Sequence, residues 1–190
     1  MIDSTVKEIL DLYRHFGEAD YIGEPVSQIE HMGQAALLAM KEGHKDEVVL
    51  AAFFHDIGHL LEFDDPDRRM GQFGVIDHEN LGAEYLASKG FSTEITNLIR
   101  DHVRAKRYLT FKHPAYYQSL SEASKNTLKH QGGKMDQKEA IAFEKEAWFE
   151  LSIKLRRWDE AAKLKNVPLI DLGIIQEKCL KHLRERSAID

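Results

Sequence analysis

Apolar residues recur at intervals of three and four along most of the chain, and this spacing limits the possible fold more than any other feature. Val6, Ile9, Leu10 and Tyr13 show it near the start. Such a period lines one face of a helix with apolar side chains, whereas no segment alternates apolar and polar residues as a half-buried strand does. The pattern therefore predicts an all-α fold with helices at 2–16, 27–42, 45–56, 78–89, 92–104, 118–130, 136–165 and 169–187.

Glycine, proline and capping residues mark where these helices are expected to begin and end. Gly43 and Gly90 are typical of helix C-termini, and Ser92 is typical of a helix start. A further break is expected at the proline-containing stretch 64–66. A break near Glu144, within the long helix predicted after residue 136, is left open.

Composition bounds the class of protein. No repeat or long linker divides the 190 residues, so we expect one domain over 1–190, ending in the helix at 169–187. A net charge of −6 argues against general adhesion to nucleic acid or acidic membranes. The single cysteine and the lack of a long apolar stretch indicate a cytoplasmic protein without internal disulfides. Ten histidines are many for this length and are the first sign of metal chemistry.

His55 and Asp56 form a doublet directly after the apolar run 48–54. Adjacent side chains on a helix diverge by about 100°, so the doublet does not present one flat face. It is nevertheless suited to a two-metal centre, because the imidazole can bind one ion while the second carboxylate oxygen reaches another. A helix-end pair held by backbone hydrogen bonds is the simpler interpretation of the doublet taken alone.

Other residues of ligand type lie on or beside separate predicted helices: His31, His78, His102 and Asp159. A first histidine, a His-Asp doublet, further histidines and a late aspartate resemble the HD-domain pattern over about residues 20–165. Four of these residues suffice for one ion: His31, His55, Asp56 and Asp159. His78 and His102 are then available for a second ion, with Asp56 as the bridge. This imidazole-rich set suits iron or manganese better than magnesium.

Several polar residues are spaced to lie beside these ligands. His59 and Lys106 each follow a ligand histidine by four residues, and Arg156 precedes the late aspartate by three. Ser124 lies in the first turns of the predicted helix 118–130. Donors concentrated in this way within an acidic protein favour a small dianion such as phosphate or phosphonate. Solvated surface charges at Lys106 and Arg156, and a helix cap at Ser124, are the alternatives.

A closer resemblance is carried by four segments: DYIGE (20–24), SQIEH (27–31), HVRAKRYL (102–109) and LKHQGG (128–133). They resemble the HD-domain diiron oxygenases that cleave organophosphonates, whose metal centre is similar to that of myo-inositol oxygenase. The resemblance implies two iron ions in a mixed-valent Fe(II)/Fe(III) state, with the six ligands named above. It also implies that Tyr21 coordinates iron until substrate arrives and that Glu24 meets a cationic end of the substrate. The phosphonate would be held by His59, Lys106, Ser124 and Arg156.

The function implied by the resemblance is oxidative C–P cleavage. The substrate would be an (R)-1-hydroxy-2-amino- or 2-trimethylammonio-ethylphosphonate, and dioxygen would convert it to inorganic phosphate and glycine or glycine betaine. An HD-type metal-dependent phosphohydrolase of a nucleotide or small phosphomonoester, using a metal-activated water, is the alternative. A non-catalytic sensing module is a third. Tyr21 and Glu24 favour the oxygenase, since a hydrolase has no evident need for a displaceable phenol. The oligomeric state is left open.

Overall fold

In the computed structural model, which describes residues 1–21, 23–61 and 74–188, the regular elements are helices and no strand forms. The all-α prediction is therefore confirmed over these ranges, and the break expected at 64–66 lies outside them. The helices are α1 (Ile2–Phe16), α2 (Gln28–Lys41), α3 (Asp46–Phe54), α4 (Gly58–Leu61), α5 (His78–Ser88), α6 (Thr93–Lys112), α7 (Pro114–Ser119), α8 (Glu122–His130), α9 (Gln137–Phe143), α10 (Phe149–Ala161) and α11 (Leu172–Ser187).

The centre of the bundle is α3, which packs against α2, α6, α10 and α11. Its residues from Val48 to Phe54 are all buried. A helix that is apolar on every side is stable only inside a core, where each large side chain contributes about 1.5–3 kcal/mol. At 9 residues α3 is too short to span a bilayer, and no other helix in the described ranges combines the length and hydropathy to do so.

The start of α2 is fixed by a capping box. The Ser27 hydroxyl accepts the Glu30 backbone N–H, and the Glu30 carboxylate accepts the Ser27 N–H at 2.7 Å. Two unpaired donors at the helix start are satisfied in this way. The cap sets the first turn of α2, and His31 is the next residue after Glu30.

The helix expected at 45–56 ends two residues early, at Phe54, because the chain tightens into a turn at the His-Asp doublet. Backbone N–H groups at Ile57 and His59 donate to carbonyls three residues back rather than four. Gly58 is required here: a side chain at this position would collide with the backbone carbonyl of His78. The turn and the glycine together bring α5 against the doublet.

Helix α6 extends to Lys112, so the predicted end at 104 is wrong. Its last turns carry Tyr108 and Leu109, which are buried in a second, smaller core together with Phe143. Arginine and lysine at 104–107 interrupt the apolar pattern in the sequence, although the stripe continues beyond them. The longer helix carries Lys106 on a well-supported turn.

Two helices predicted as single units are each divided. The helix expected at 118–130 becomes α7 and α8, since Leu120 is extended and Ser121 caps the second helix by accepting the Ser124 N–H. The helix expected at 136–165 breaks between Phe143 and Phe149, at the position left open near Glu144. Each predicted long helix is therefore two shorter helices joined by a short connection.

Candidate metal centre

Four histidines meet in two pairs where α2, α5, α6 and the turn after α3 come together. The Nε2 atoms of His31 and His55 lie 3.1 Å apart, and those of His78 and His102 lie 3.2 Å apart. All four side chains are buried. Each pair therefore directs two ring nitrogens toward one point.

Backbone carbonyls determine which nitrogen of these rings carries the proton. Nδ1 of His31 donates to the Ala162 carbonyl at 2.9 Å. His55 and His102 donate in the same way to carbonyls three residues before them, at 2.9 and 2.6 Å. Because a neutral imidazole has one N–H, the Nε2 atoms of these rings present lone pairs. Lone pairs facing each other at hydrogen-bond distance indicate a site for a cation.

Asp56 lies between the two pairs. Its Oδ2 atom is 3.5 Å from Nε2 of His31 and 3.4 Å from Nε2 of His55. Its Oδ1 atom is 3.2 Å from Nε2 of His78 and 3.4 Å from Nε2 of His102. One carboxylate thus gives one oxygen to each histidine pair, as a residue bridging two metal ions does.

Asp159 completes the cluster around the first pair. Its Oδ1 atom is 3.4 Å from Nε2 of His31, is buried, and has no hydrogen-bond partner. The other carboxylate oxygen is paired with Arg156, three residues earlier on α10. Because an unpartnered buried acceptor is costly, Oδ1 is best explained as a ligand atom.

Both carboxylates are ionised, which makes the cluster attractive to cations. Although burial opposes ionisation, the charge of His55 and hydrogen bonds from neighbouring histidines hold the pKa of Asp56 well below its usual value. The Arg156 guanidinium does the same for the buried Asp159. Burial also disfavours charge on His31, yet the neighbouring carboxylates Asp159 and Asp56 raise its pKa to about 9. The two carboxylates therefore stabilise positive charge at this position, and a bound metal ion would supply that charge.

The donor set fits two transition-metal ions. One group consists of His31, His55, Asp56 and Asp159, and the other of His78, His102 and the second oxygen of Asp56. Mixed imidazole and carboxylate donors suit iron and manganese, whereas magnesium prefers oxygen ligands. The residues present are therefore compatible with a dinuclear iron centre.

An open cavity of about 460 Å³, measured with its mouth, leads to this centre. Helices α6, α8 and α10 and the segment before α2 supply its walls. Every residue predicted to contact substrate lines it: Tyr21, Glu24, His59, Lys106, Ser124 and Arg156.

His59 is a neutral hydrogen-bond donor at the inner end of the cavity. Its ring stacks on His78 with centroids 4.0 Å apart, and its Nδ1 accepts the Val75 backbone N–H at 3.0 Å. Burial and the charge of His78 hold its pKa well below the usual value. The remaining proton is therefore on Nε2. A ligand atom of His59 also lies within 4.8 Å of those of Asp56 and His78, so this ring borders the second metal position.

Lys106 is a buried cation that lacks an anionic partner. Its side chain is 3 % exposed, and Nζ donates to the Thr127 hydroxyl at 2.6 Å and to Gln131 Oε1 at 2.9 Å. No carboxylate in the described ranges forms an ion pair with it. Burial and the neighbouring cations Arg156 and Lys163 hold its pKa well below the usual value. A bound anion would supply the missing partner and favour the charged form of this lysine.

Arg156, by contrast, is already paired within the protein. Its guanidinium forms ion pairs with Asp159 and Glu160, and its Nε donates to the Tyr116 hydroxyl at 2.7 Å. Although burial opposes charge, Asp159 raises the pKa of Arg156 further. Arg156 therefore holds the Asp159 carboxylate in place as well as facing the cavity.

Tyr21 covers the first histidine pair. Its ring stacks on His31 with centroids 3.8 Å apart and planes 12° from parallel. Burial and the charges of Asp56 and Asp159 raise the pKa of its phenol well above the usual value. A backbone turn holds it, since its N–H donates to the Val26 carbonyl at 2.9 Å. The phenol thus lies within reach of the bridging carboxylate.

Glu24 lies at the rim of the cavity and already contacts a cation. Its Oε1 atom accepts the Ser121 hydroxyl at 2.5 Å and the Lys163 ammonium at 2.9 Å. Lys163 also donates to the Ser124 hydroxyl at 3.2 Å. The sequence analysis did not single out Lys163.

Comparison with known proteins agrees with the geometry. Residues 29–145 match the HD domain family, and this range includes both histidine pairs and Asp56. This chain belongs to the HD-domain family. Three relatives each align with most of this HD-domain chain.

A [1-hydroxy-2-(trimethylamino)ethyl]phosphonate dioxygenase (glycine-betaine-forming) of Leisingera caerulea is 40% identical over 165 residues, covering 84% of this chain and 81% of the relative. A hydroxymethylphosphonate dioxygenase of Gimesia maris is 38% identical over 182 residues, covering 93% and 89%. An uncharacterised protein of Acanthamoeba polyphaga mimivirus is 43% identical over 186 residues, covering 98% and 85%. The two named relatives are both phosphonate dioxygenases, and each is similar to this HD domain over most of its length.

Sequence reasoning missed three polar residues around the cavity of this HD domain. Thr127 and Gln131 hold Lys106, and Lys163 holds Glu24. A signal for the first two is present, because Ser124, Thr127 and Gln131 are spaced three and four apart and share one face of α8. Lys163 follows Asp159 by four residues, the spacing that also relates His59 and Lys106 to their histidines, although it lies beyond the end of α10.

Proposed function

We propose that this chain is a diiron oxygenase that cleaves the C–P bond of a small 1-hydroxyphosphonate with dioxygen. The observation that carries the proposal is Lys106, a buried lysine that forms no ion pair with the described residues and lines the cavity that opens on the two histidine pairs. A phosphonate dianion supplies the missing charge at this position. The named relatives, both phosphonate dioxygenases, support the same reaction.

Each predicted residue then has a defined part. One iron would be held by His31, His55, Asp56 and Asp159, and the other by His78, His102 and Asp56, in a mixed-valent Fe(II)/Fe(III) state. When bound, the two ions supply the dioxygen activation and electron transfer that side chains cannot provide. Lys106 and the Nε2 proton of His59 bind the phosphonate oxygens, the Ser124 hydroxyl adds a further donor, and Arg156 fixes Asp159. Fixed donors of this kind orient the reacting carbon and exclude water from it.

The overall reaction balances without another oxidant. The C–P bond breaks, the hydroxyl-bearing carbon becomes a carboxylate, and the phosphonate leaves as inorganic phosphate. One dioxygen molecule accepts four electrons, its two oxygen atoms complete the products, and one proton is released. From (R)-1-hydroxy-2-amino- or 2-trimethylammonio-ethylphosphonate the second product is glycine or glycine betaine. From hydroxymethylphosphonate, the compound in the name of the Gimesia relative, it is formate.

Dioxygen dependence tests the proposal against a hydrolase. We expect iron-loaded protein to release phosphate from at least one of these phosphonates in air and to stop under argon, because dioxygen is the co-substrate. Phosphate is measured colorimetrically, and dioxygen uptake is followed with an electrode. One dioxygen should be consumed for each phosphate released. Turnover that continues undiminished under argon would instead identify the metal-dependent phosphohydrolase, for which water is the oxygen donor.

Replacing Tyr21 with phenylalanine tests its proposed role on the resting iron. Phenylalanine keeps a ring that stacks on His31 and removes only the hydroxyl, so phosphonate binding should change by no more than roughly twofold. The resting iron should be oxidised faster in air, and its optical and EPR spectra should change. Tyr117→Phe, at an exposed tyrosine on α7, is the matched control. Identical resting spectra in Tyr21→Phe and the parent protein would show that the phenol has only a structural role.

A further inference from the structure

Lys163 occupies the position at Glu24 that the sequence analysis gave to the substrate's cationic end. Its ammonium lies 2.9 Å from Glu24 Oε1 and 3.2 Å from the Ser124 hydroxyl, and both of these residues line the cavity. The side chains of Lys163 and Glu24 are only 13% and 10% exposed. The ion pair is therefore largely shielded from water, and salt screens such a pair less than one on the surface.

The backbone around Lys163 is fixed to the helix that carries the first metal ligand. The Ala162 carbonyl accepts Nδ1 of His31, and the amide of Gln34 bonds both the N–H and the carbonyl of Leu164, at 3.1 and 2.9 Å. Lys163 is thus held on both sides by contacts to α2. These contacts fix the backbone from which its ammonium reaches the cavity residues Glu24 and Ser124.

Lys163 and the carboxylates beside it already form ion pairs within the protein. Glu160 approaches Lys163 at 3.6 Å but is itself paired with Arg156. Two cations, Lys163 and Arg156, therefore face two carboxylates, Glu24 and Glu160, while Asp159 serves the metal cluster. Among the described residues no carboxylate at this end is left unpaired for a substrate ammonium, so a cationic substrate would have to displace Lys163 or lie beside it.

We infer that Lys163 determines substrate specificity by excluding a fixed positive charge from this end of the site. The inference rests on the proposed function and narrows its substrate class to 1-hydroxyphosphonates whose other substituent is small and uncharged, with hydroxymethylphosphonate as the simplest example. Lys163 acts by repulsion: it weakens the binding of cationic substrates more than it strengthens the binding of uncharged ones. Removing the ammonium should release Glu24 for a cationic substrate.

The test compares dissociation constants measured by calorimetry under argon, where no turnover occurs. The probes are hydroxymethylphosphonate, 2-amino-1-hydroxyethylphosphonate and its trimethylammonio analogue, with iron-loaded protein. The parent protein should bind the uncharged probe at least about tenfold more tightly than either cationic one. In Lys163→Met the ratio should shift by about tenfold or more toward the cationic probes. Lys163→Arg, which keeps the charge, should retain the parent preference, and so should Lys165→Met at a neighbouring exposed lysine.

The possible failures are distinguishable. Equal affinity of the parent protein for cationic and uncharged probes would overturn only the role of Lys163. The same holds if Lys163→Met has a native circular dichroism spectrum and an unchanged ratio of dissociation constants between the two kinds of probe. If Lys163→Met does not fold, the inference is tested by the parent protein and Lys163→Arg. Both must bind the uncharged probe more tightly than the cationic ones. If no phosphonate binds the parent protein and none releases phosphate in air, the proposed function itself is wrong.

Discussion

Replacing Asp56 with alanine should remove both metal ions and abolish phosphate release. The two oxygens of this carboxylate face different histidine pairs, at 3.4–3.5 Å on one side and 3.2–3.4 Å on the other. Without it, four imidazoles and a single carboxylate would have to hold two cations in a buried site. We expect kcat/KM to fall by at least about a thousandfold, equivalent to about 4 kcal/mol. Metal content is measured by plasma mass spectrometry on protein purified with excess iron.

A comparison with His78→Ala separates bridging from simple ligation. His78 faces only Oδ1 of Asp56 and His102, so its removal should leave the other ion bound. Asp101→Ala is the matched control: this carboxylate is also buried, but it pairs with Arg104 outside the cavity, and both metals should remain. If Asp56→Ala retains one ion per chain, Asp56 binds a single metal and does not bridge two. If the parent protein itself holds one transition-metal ion per chain, the dinuclear centre is wrong.

The sequence was sufficient to predict the helical bundle because its apolar spacing is regular and its central helix is almost entirely apolar. The ligand-type residues could be named from the resemblance of the chain to the HD-domain pattern, and the structure brings all six of them together. The spacing of residues does not predict the backbone conformation at the His55–Asp56 doublet. The turn after Phe54 and the close approach allowed by Gly58 depend on the packing of α5, which is distant in sequence.

Residues that act through long-range pairs could not be predicted. Glu24 and Lys163 are 139 positions apart, and their contact depends on how the chain leaves α10 and returns over α2. The sequence shows each charge but not its partner, so Glu24 was assigned to a substrate cation. Thr127 and Gln131 show a readable helical spacing, yet which face of α8 covers the cavity follows only from tertiary packing. Local patterns therefore identify ligand types, while charge pairing requires the fold.

Lys106→Met should abolish phosphonate binding without weakening the fold. In the parent protein the ammonium is buried against two neutral acceptors, and burial together with nearby cations lowers its pKa. A buried charge without a counter-charge is destabilising, and methionine has a similar length but needs no counter-charge. Thr127 and Gln131 are both partly exposed, so water can replace the lost hydrogen bonds. The free energy of unfolding, measured in urea without ligand, should therefore stay the same or rise.

The loss of binding should be large because, among the described residues that line the cavity, Lys106 is the one lysine or arginine not already paired with a carboxylate. Breaking a desolvated charge pair of this kind costs about 2–4 kcal/mol, or roughly 30- to 1000-fold in the dissociation constant. Lys129→Met, on the exposed face of α8, is the matched control and should change binding by less than about twofold. Iron content should be equal in all three proteins, so that weaker binding is not caused by metal loss. Two results would contradict this prediction: normal phosphonate binding by Lys106→Met, or a loss of more than about 1 kcal/mol in its free energy of unfolding. Either result would show that this lysine stabilises the fold and does not bind the dianion.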